Sequence, residues 1–190
     1  MSVDGVRHPF FFGYGSLVNR ATHDYPNTSR ARVKGWRRAW RHTRHREVSF
    51  LTAVPCGQSE IDGLIAAVPD ADWQALDARE YAYQRYALEE IHHRSEATDI
   101  SLYAIPEGEH TAPGPENPIL LSYIDTVVAG YLSEYGPKGV EGFFETTDGW
   151  EAPIFDDRRA PRYPRALTVP QSTRDLADGL IRKARQMQQL

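Results

Sequence analysis

Short apolar runs bounded by turn residues predict β-strands along the first hundred positions of the chain. The clearest run ends in Phe12, and Gly13 and Gly15 then allow a tight turn. Segment 33–43 fits either a helix or a strand, and we favour a strand. The predicted strands are 9–12, 33–43, 48–54, 61–68, 87–94 and 100–105, the third ending at Pro55 and the fourth at Pro69.

Helical periodicity is found in three places, separated by loops rich in proline. The order is strands, one helix, two more strands and then helices, which predicts an α+β fold around a mostly antiparallel or mixed sheet. The predicted helices run from a cap at Asp70 or Asp72 to about Tyr83, from 119 to a stop at Gly136-Pro137, and from a cap at Ser172 or Thr173 to the C-terminus.

Length and composition are those of one globular domain. The chain has 190 residues, of which 41% are hydrophobic and 11% aromatic, enough for a packed core. We expect one domain over 1–190, with a core of about 9–105 and a C-terminal helical portion of about 117–190. The sequence has neither a run of ~18 apolar residues nor a signal-peptide pattern. With Cys56 as its single cysteine, we expect a cytoplasmic protein with no membrane partner.

One segment departs from the net charge of −4. Positions 30–46 hold eight Arg or Lys residues and no Asp or Glu, with two tryptophans between them. Such a segment can bind nucleic acid through phosphate contacts and stacking, with an affinity that falls steeply with salt. We favour instead a solvated sheet face, or one paired with the acidic remainder of the chain, and expect no nucleic-acid partner. The pI of about 6.0 is low for a nucleic-acid binder.

The segment 13–17 is the first candidate for chemistry. Two glycines around Tyr14 let the backbone turn sharply, so that successive N–H groups form an anion-binding nest. Ser16 adds a hydroxyl donor. The segment lacks the Gly-Lys-Ser/Thr of a phosphate loop and the Gly-x-Ser-x-Gly order of a nucleophile elbow. It is therefore either an ordinary turn at the end of a strand or a cradle for a small anion.

Glu80 is the second candidate, at the far end of the first predicted helix and followed by several tyrosines. It is either a solvated residue paired with Arg79 or Arg85, or a base in a partly dry aromatic pocket. In such a pocket its pKa would rise from about 4.3, which makes a carboxylate a better base near neutral pH.

The histidines and the cysteine do not have the spacing of a metal site. His42 and His45 lack a third ligand, and His92 and His93 would point to opposite faces of a strand. Nothing marks Cys56 as a reactive thiolate. We expect no metal and no cofactor.

The two candidate segments, in this order and about 65 positions apart, resemble the γ-glutamylcyclotransferase superfamily, which includes the ChaC-like and AIG2-like proteins. The resemblance covers residues 9–105 well and the C-terminal third more loosely. It rests on Tyr14-Gly15-Ser16-Leu17, on Gly63 to Val68, on Leu76-Asp77-Ala78-Arg79-Glu80 with Tyr86, and on the strand around Gly35-Trp36. Tyr81 departs from the pattern, because many members have a small residue after the glutamate.

The resemblance implies a small mixed β-barrel flanked by helices. It also implies an enzyme that releases 5-oxoproline and a free amine from a γ-glutamyl compound, with Glu80 as general acid and base. The N–H groups of Gly15, Ser16 and Leu17 would hold the substrate carboxylate or the oxyanion. Tyr14, Tyr86 and Tyr103 would line the pocket. Glutathione, a γ-glutamyl amino acid and a γ-glutamyl amine are all compatible substrates. The alternative is a non-catalytic module that binds a small carboxylate. A monomer and a homodimer both remain open.

Overall fold

The N-terminal part of the chain folds into strands, in a computed structural model that describes residues 8–44 and 47–187. His45 and Arg46 of the sequence analysis lie outside these residues, as do 1–7 and 188–190. The strands in chain order are β1 (Phe10–Gly13), β2 (Ser29–Arg41), β3 (Phe50–Ala67), β4 (Gln84–Ala87), β5 (Ile91–His93), β6 (Ile100–Ala104), β7 (Ile119–Leu120), β8 (Thr147–Asp148) and β9 (Ile154–Phe155). The helices are α1 (Gln74–Arg79), α2 (Leu121–Glu145) and α3 (Gln171–Met187).

Seven strands form one mixed sheet in the order β4-β6-β1-β3-β2-β5, with β8 beside β2, and the sheet curls into a half-barrel. β1 is central, antiparallel to β3 and parallel to β6. Phe12 packs with α2 on one face, and Phe11 packs with Leu76 of α1 on the other. A strand that is buried on both faces has apolar residues at consecutive positions, which explains the uninterrupted apolar run of β1. The predicted α+β class with a mixed sheet is confirmed.

β3 corrects the prediction of two strands divided at Pro55. It is continuous over 18 residues, and Pro55 pairs with Trp36 across an irregularity in the β2–β3 register. Gly35 lies at this irregularity with a φ of +79°, a conformation that glycine adopts readily. Pro55 itself is exposed, at a place where its missing N–H does not interrupt the buried ladder.

The helices differ from the prediction at their ends. α1 begins at Gln74, whose N–H donates to Asp72 Oδ1 at 3.1 Å, and it ends at Arg79 rather than Tyr83. α2 runs on to Glu145, but Gly136 breaks its helical backbone with a φ of +69°, at the predicted stop. α3 begins at Gln171, one residue before the first predicted cap.

The basic residues of β2 are largely paired or buried. Arg30 lies 3.5 Å from Glu134, Arg32 bonds Asp62 at 2.6 Å, and Arg37 lies 2.7 Å from Asp148. Arg38 is buried. These contacts favour the interpretation of 30–46 as a sheet face paired with acidic residues. The prediction of no nucleic-acid partner remains a prediction.

Buried Asp157 ties the C-terminal loop to the start of α2. Its carboxylate accepts hydrogen bonds from Ser122 N at 2.8 Å, Ser122 Oγ at 2.6 Å and Arg162 N at 2.8 Å. Burial opposes ionisation of this group, but the hydrogen bonds outweigh burial and hold the pKa of Asp157 below its usual value. The ionised form therefore stabilises the fold.

We expect Asp157→Asn to lower the free energy of unfolding by about 1–3 kcal/mol at pH 7, because one amide cannot accept all three bonds. The pKa of the Asp157 carboxyl group is lower in the folded protein than in the unfolded chain. Its ionised form therefore stabilises the fold fully at a pH above the unfolded-state pKa, and this stabilisation is lost as the pH falls through the folded-state pKa. The difference in the free energy of unfolding between wild type and variant should thus become smaller below about pH 4. Urea unfolding of both proteins from pH 7 to 3 measures it, and a gap that is constant with pH contradicts the assignment.

Candidate functional site

The turn after β1 and Glu80 meet at one small cavity. Its lining includes residues 12–17 from the turn, Leu51 from β3, and the side chains of Glu80, Tyr83, Tyr103 and Tyr123. The cavity volume is about 40 Å³. The two segments singled out in the sequence thus lie together, although more than 60 positions separate them.

The turn is held by a short 3-10 segment, Ser16–Val18, that begins directly after Gly15. Val18 N donates to Gly15 O at 3.0 Å, and Asn19 N donates to Ser16 O at 3.0 Å. Asn19 Nδ2 also donates to Thr126 O of α2 at 2.9 Å. The first N–H groups of such a segment have no partner within it, so those of Ser16 and Leu17 must find an acceptor outside it.

Glu80 directly follows α1 and is its C-cap residue. Its N–H donates to Leu76 O at 2.9 Å, and fully buried Leu76 anchors the helix against the sheet. The Glu80 side chain is 17% exposed, and its Oε1 lies 3.3 Å from Nε of Arg79, which is 8% exposed. Arg79 also donates to Thr22 O at 2.9 Å and to Ser16 Oγ at 3.3 Å. Arg79 therefore connects the acid to the turn opposite it.

Tyr14 lines the cavity, but its hydroxyl is engaged within the sheet. It donates to Tyr103 O at 2.5 Å and accepts from Ala53 N at 3.0 Å. Burial, with a smaller contribution from the negative charge of Glu80, raises the pKa of Tyr14. The phenol stays protonated at neutral pH and ties β1, β3 and β6 together beneath the turn.

Of the other two predicted pocket tyrosines, the structure brings only Tyr103 to the cavity. Its hydroxyl donates to Asp77 of α1, and burial raises its pKa. Tyr86 is not among the lining residues, and its ring lies 6.0 Å from that of Trp36. Tyr83, three residues after Glu80, lines the cavity and donates to Leu51 O at 2.8 Å. The family resemblance indicated Tyr86 as the pocket tyrosine after Glu80, whereas in the structure Tyr83 lines the cavity.

Tyr123, in the first turn of α2, is a cavity residue that the sequence did not single out as a site residue. Burial, followed by the charges of Tyr163 and Glu80, raises its pKa well above the usual value, and a hydrogen bond with the Ser16 backbone opposes that rise. The Tyr123 hydroxyl thus lies against the backbone of the predicted cradle. Its position in an apolar helical stripe resembles that of an ordinary core residue, which is why no sequence signal distinguished it.

Gly15 is required by this close approach. A Cβ at position 15 would lie 2.5 Å from the Tyr123 hydroxyl oxygen and 3.3 Å from a Leu51 methyl group. We expect Gly15→Ala to lower the free energy of unfolding by about 1–3 kcal/mol through overpacking. In a Tyr123→Phe background the penalty should be much smaller, since the ring carbon Cζ is 3.7 Å away. Chemical denaturation of the four proteins of this cycle measures the coupling, and equal penalties in both backgrounds contradict it.

Arg38 of β2 supports the turn from below. It is 1% exposed, and its Nε donates to Tyr14 O at 2.9 Å. The same guanidinium donates to Thr146 Oγ1 at 2.6 Å, to Asp62 O and to the Tyr131 hydroxyl. Tyr131 in turn donates to Tyr14 O at 2.9 Å, and burial raises its pKa to about 12. The carbonyl that precedes Gly15 is therefore fixed by two buried donors.

Within residues 8–44 and 47–187, no group of three or more His, Cys, Asp or Glu side chains is placed to hold a metal ion. None of the helices in these ranges is long and apolar enough to cross a membrane.

Comparison with known proteins gives a family and a fold. The model of the gamma-glutamyl cyclotransferase, AIG2-like family matches residues 11–121, which include the turn and Glu80. A search of curated proteins finds no significant match. Among solved structures, a gamma-glutamyl cyclotransferase shares 15% identity and a TM-score of 0.54, with 91% of this chain and 99% of that chain covered.

Two further structures share the fold. A human protein described as uncharacterized, loc79017, is 15% identical with a TM-score of 0.57, and 91% of this chain and 99% of that chain are covered. YkqA from Bacillus subtilis is 17% identical with a TM-score of 0.56 over 72% of this chain, which spans only 52% of YkqA. Because the family model matches more than half of the sequence, this chain belongs to the gamma-glutamyl cyclotransferase, AIG2-like family and has its α+β fold.

Proposed function

We propose that this protein is a γ-glutamylcyclotransferase that releases 5-oxoproline and a free amine from a γ-glutamyl compound, with Glu80 as general acid and base. The observation that carries the proposal is the single cavity lined by both Glu80 and the turn of residues 13–17. A carboxylate that shares a cavity with the backbone of this turn supports the proposal, because the reaction requires little more than an acid/base group and an anion-binding group.

The substrate supplies its own nucleophile. Its α-amino nitrogen attacks its γ-carbonyl carbon, a new C–N bond closes the five-membered ring, and the bond to the leaving amine breaks. Because the attack is intramolecular, proximity already provides much of the acceleration. Two proton transfers remain. Glu80 takes a proton from the α-ammonium group and gives one to the leaving amine.

The turn and Arg79 complete the site in this proposal. The N–H groups of Ser16 and Leu17, with that of Gly15, bind the substrate carboxylate or the oxyanion that develops on the γ-carbonyl oxygen. Arg79 Nε lies 3.3 Å from Glu80 Oε1, and the Arg79 guanidinium also bonds Ser16 Oγ, so it positions the carboxylate beside the turn. Tyr123 lines the same cavity, and its hydroxyl bonds the Ser16 backbone.

The test is 5-oxoproline release by purified protein from a panel of γ-glutamyl amino acids, a γ-glutamyl amine and glutathione. Turnover of at least one compound supports the proposal. Calorimetric titration with 5-oxoproline and with glutamate accompanies the assay. Tight binding without turnover of any compound would overturn the proposal in favour of the module that binds a small carboxylate.

A further inference from the structure

The cavity beside Glu80 is too small to hold a whole substrate. Its volume of about 40 Å³ corresponds to room for about three water molecules. A second cavity of about 380 Å³ adjoins it, and the Tyr123 side chain lines both. We call the second cavity the outer groove. Its lining residues are 47–50, Tyr81, Leu120, Tyr123 and 162–165.

The outer groove is lined partly by residues that are next in the chain to residues of the cavity. Tyr81 directly follows Glu80, and Phe50 directly precedes Leu51, so two neighbours of cavity residues line the groove. If Glu80 protonates the leaving amine, the group attached to that amine must extend past Glu80. The outer groove, whose lining includes the residue next to Glu80, is the larger of the two spaces that Tyr123 lines.

Both walls of the outer groove are fixed by hydrogen bonds. Asp157 joins the backbone of Arg162 to that of Ser122, the residue before Tyr123. On the opposite wall, Ser49 Oγ donates to Asn117 O at 2.6 Å, and Ser49 N donates to Pro118 O at 3.1 Å. Tyr163 also packs edge-on against Tyr123, with ring centroids 5.0 Å apart. The segments that line the outer groove are therefore held in place by hydrogen bonds and ring packing.

The lining of the outer groove combines apolar walls with an excess of positive charge. Val48, Phe50 and Leu120 are aliphatic or aromatic, and Tyr81 and Tyr163 add phenol rings. Its charged residues are Glu47, Arg162 and Arg165. Arg162 lies 3.7 Å from Glu47, whose side chain is 93% exposed. Arg165 forms no ion pair within the described ranges of the chain. One guanidinium in the groove thus lacks a carboxylate partner among the described residues.

We propose, on the basis of the cyclotransferase function proposed above, that the outer groove binds the leaving amine and that Arg165, assisted by Arg162, binds a carboxylate on it. The apolar walls receive its side chain. The preferred substrates are then γ-glutamyl amino acids with a large apolar side chain rather than γ-glutamyl amines without a carboxylate. Arg162 and Arg165 lie beyond residues 11–121, the part of the chain that the family model matches.

Two compounds that differ only in the carboxylate test this inference, γ-glutamyl-phenylalanine and γ-glutamyl-2-phenylethylamine. We expect wild type to have a kcat/KM about tenfold or more higher for the first, the effect of one charge-assisted hydrogen bond. Arg165→Gln should lose that preference and leave the amine derivative unaffected. The matched control is Arg159→Gln, an exposed arginine of the same loop that does not line the groove.

The amine derivative also reports on folding, because a misfolded variant loses activity on both compounds. Equal kcat/KM for both compounds in wild type, or an unchanged preference in Arg165→Gln, overturns the groove assignment while the cyclotransferase function stands. Absence of 5-oxoproline from every γ-glutamyl compound tried overturns the function and this inference together.

Discussion

Glu80→Gln should reduce kcat for 5-oxoproline release by about 10²–10⁴-fold, the usual contribution of a positioned acid or base. Glutamine keeps the size of the side chain and its hydrogen-bonding capacity toward Arg79, but it neither accepts nor delivers a proton at neutral pH. KM should change little, because the backbone N–H groups of the turn remain in place. Steady-state kinetics on the best substrate of the panel measures both parameters.

Glu89→Gln is the matched control for this experiment. Glu89 is exposed and does not line the cavity, so its substitution removes the same charge without touching the site. Binding of 5-oxoproline to Glu80→Gln, measured by calorimetry, verifies that the cavity is intact. A kcat within about threefold of wild type, with binding retained, would show that Glu80 is not the acid or base; the threefold limit lies far below the expected range.

Arg38→Met should lower the free energy of unfolding by about 2–4 kcal/mol. Methionine has a similar length but donates no hydrogen bond, and each buried acceptor left without a donor costs about 1–3 kcal/mol. Tyr131 has one hydroxyl proton and reaches both Tyr14 O at 2.9 Å and Asp62 O at 2.7 Å, so it satisfies only one of them at a time. Guanidinium denaturation with a linear extrapolation gives the difference.

Arg41→Met controls for the loss of a cation from the same strand, since the Arg41 guanidinium donates to Trp40 O, a carbonyl of its own strand. Its effect should stay within about 0.5 kcal/mol, as for most surface substitutions. In the folded fraction of Arg38→Met we also expect reduced 5-oxoproline release, because Tyr14 O, next to Gly15, loses one of its two donors. An Arg38→Met protein as stable as wild type would contradict a supporting role for this guanidinium.

The sequence was most informative where function restricts the local backbone. Gly13, Gly15 and the apolar run before them predicted a strand ending in a tight turn, and Glu80 was identified at the end of α1. Both predictions depend on neighbouring residues, whose effects are visible in a short window. The α+β fold class followed from the order in which the predicted strands and helices occur along the chain.

The sequence was least informative where distant residues decide the outcome. In the sequence, Pro55 indicates the end of a strand. β3 nevertheless continues past Pro55, because the irregularity in the β2–β3 register at Gly35, on the neighbouring strand, lies next to Pro55 in the pairing of the two strands and removes the need for its missing N–H. Tyr83 and Tyr86 both follow Glu80, and the resemblance pointed to Tyr86. The pairing of β4 with β6 holds Tyr86 in a strand, and it is Tyr83 that lines the cavity. The outer groove joins positions near 48, 81, 120 and 163, a combination that no local pattern contains.

The central position of β1 has a consequence for how the chain is made. Phe10, Phe11 and Phe12 leave the ribosome before either partner strand, since the antiparallel partner of Phe10 is Ala67 and its parallel partner is Ile100. At about 5–20 residues per second, the partners in β3 follow β1 by roughly 3–11 s. This apolar strand thus stays unpaired for seconds during synthesis, which makes it a natural client for chaperones that hold extended apolar segments.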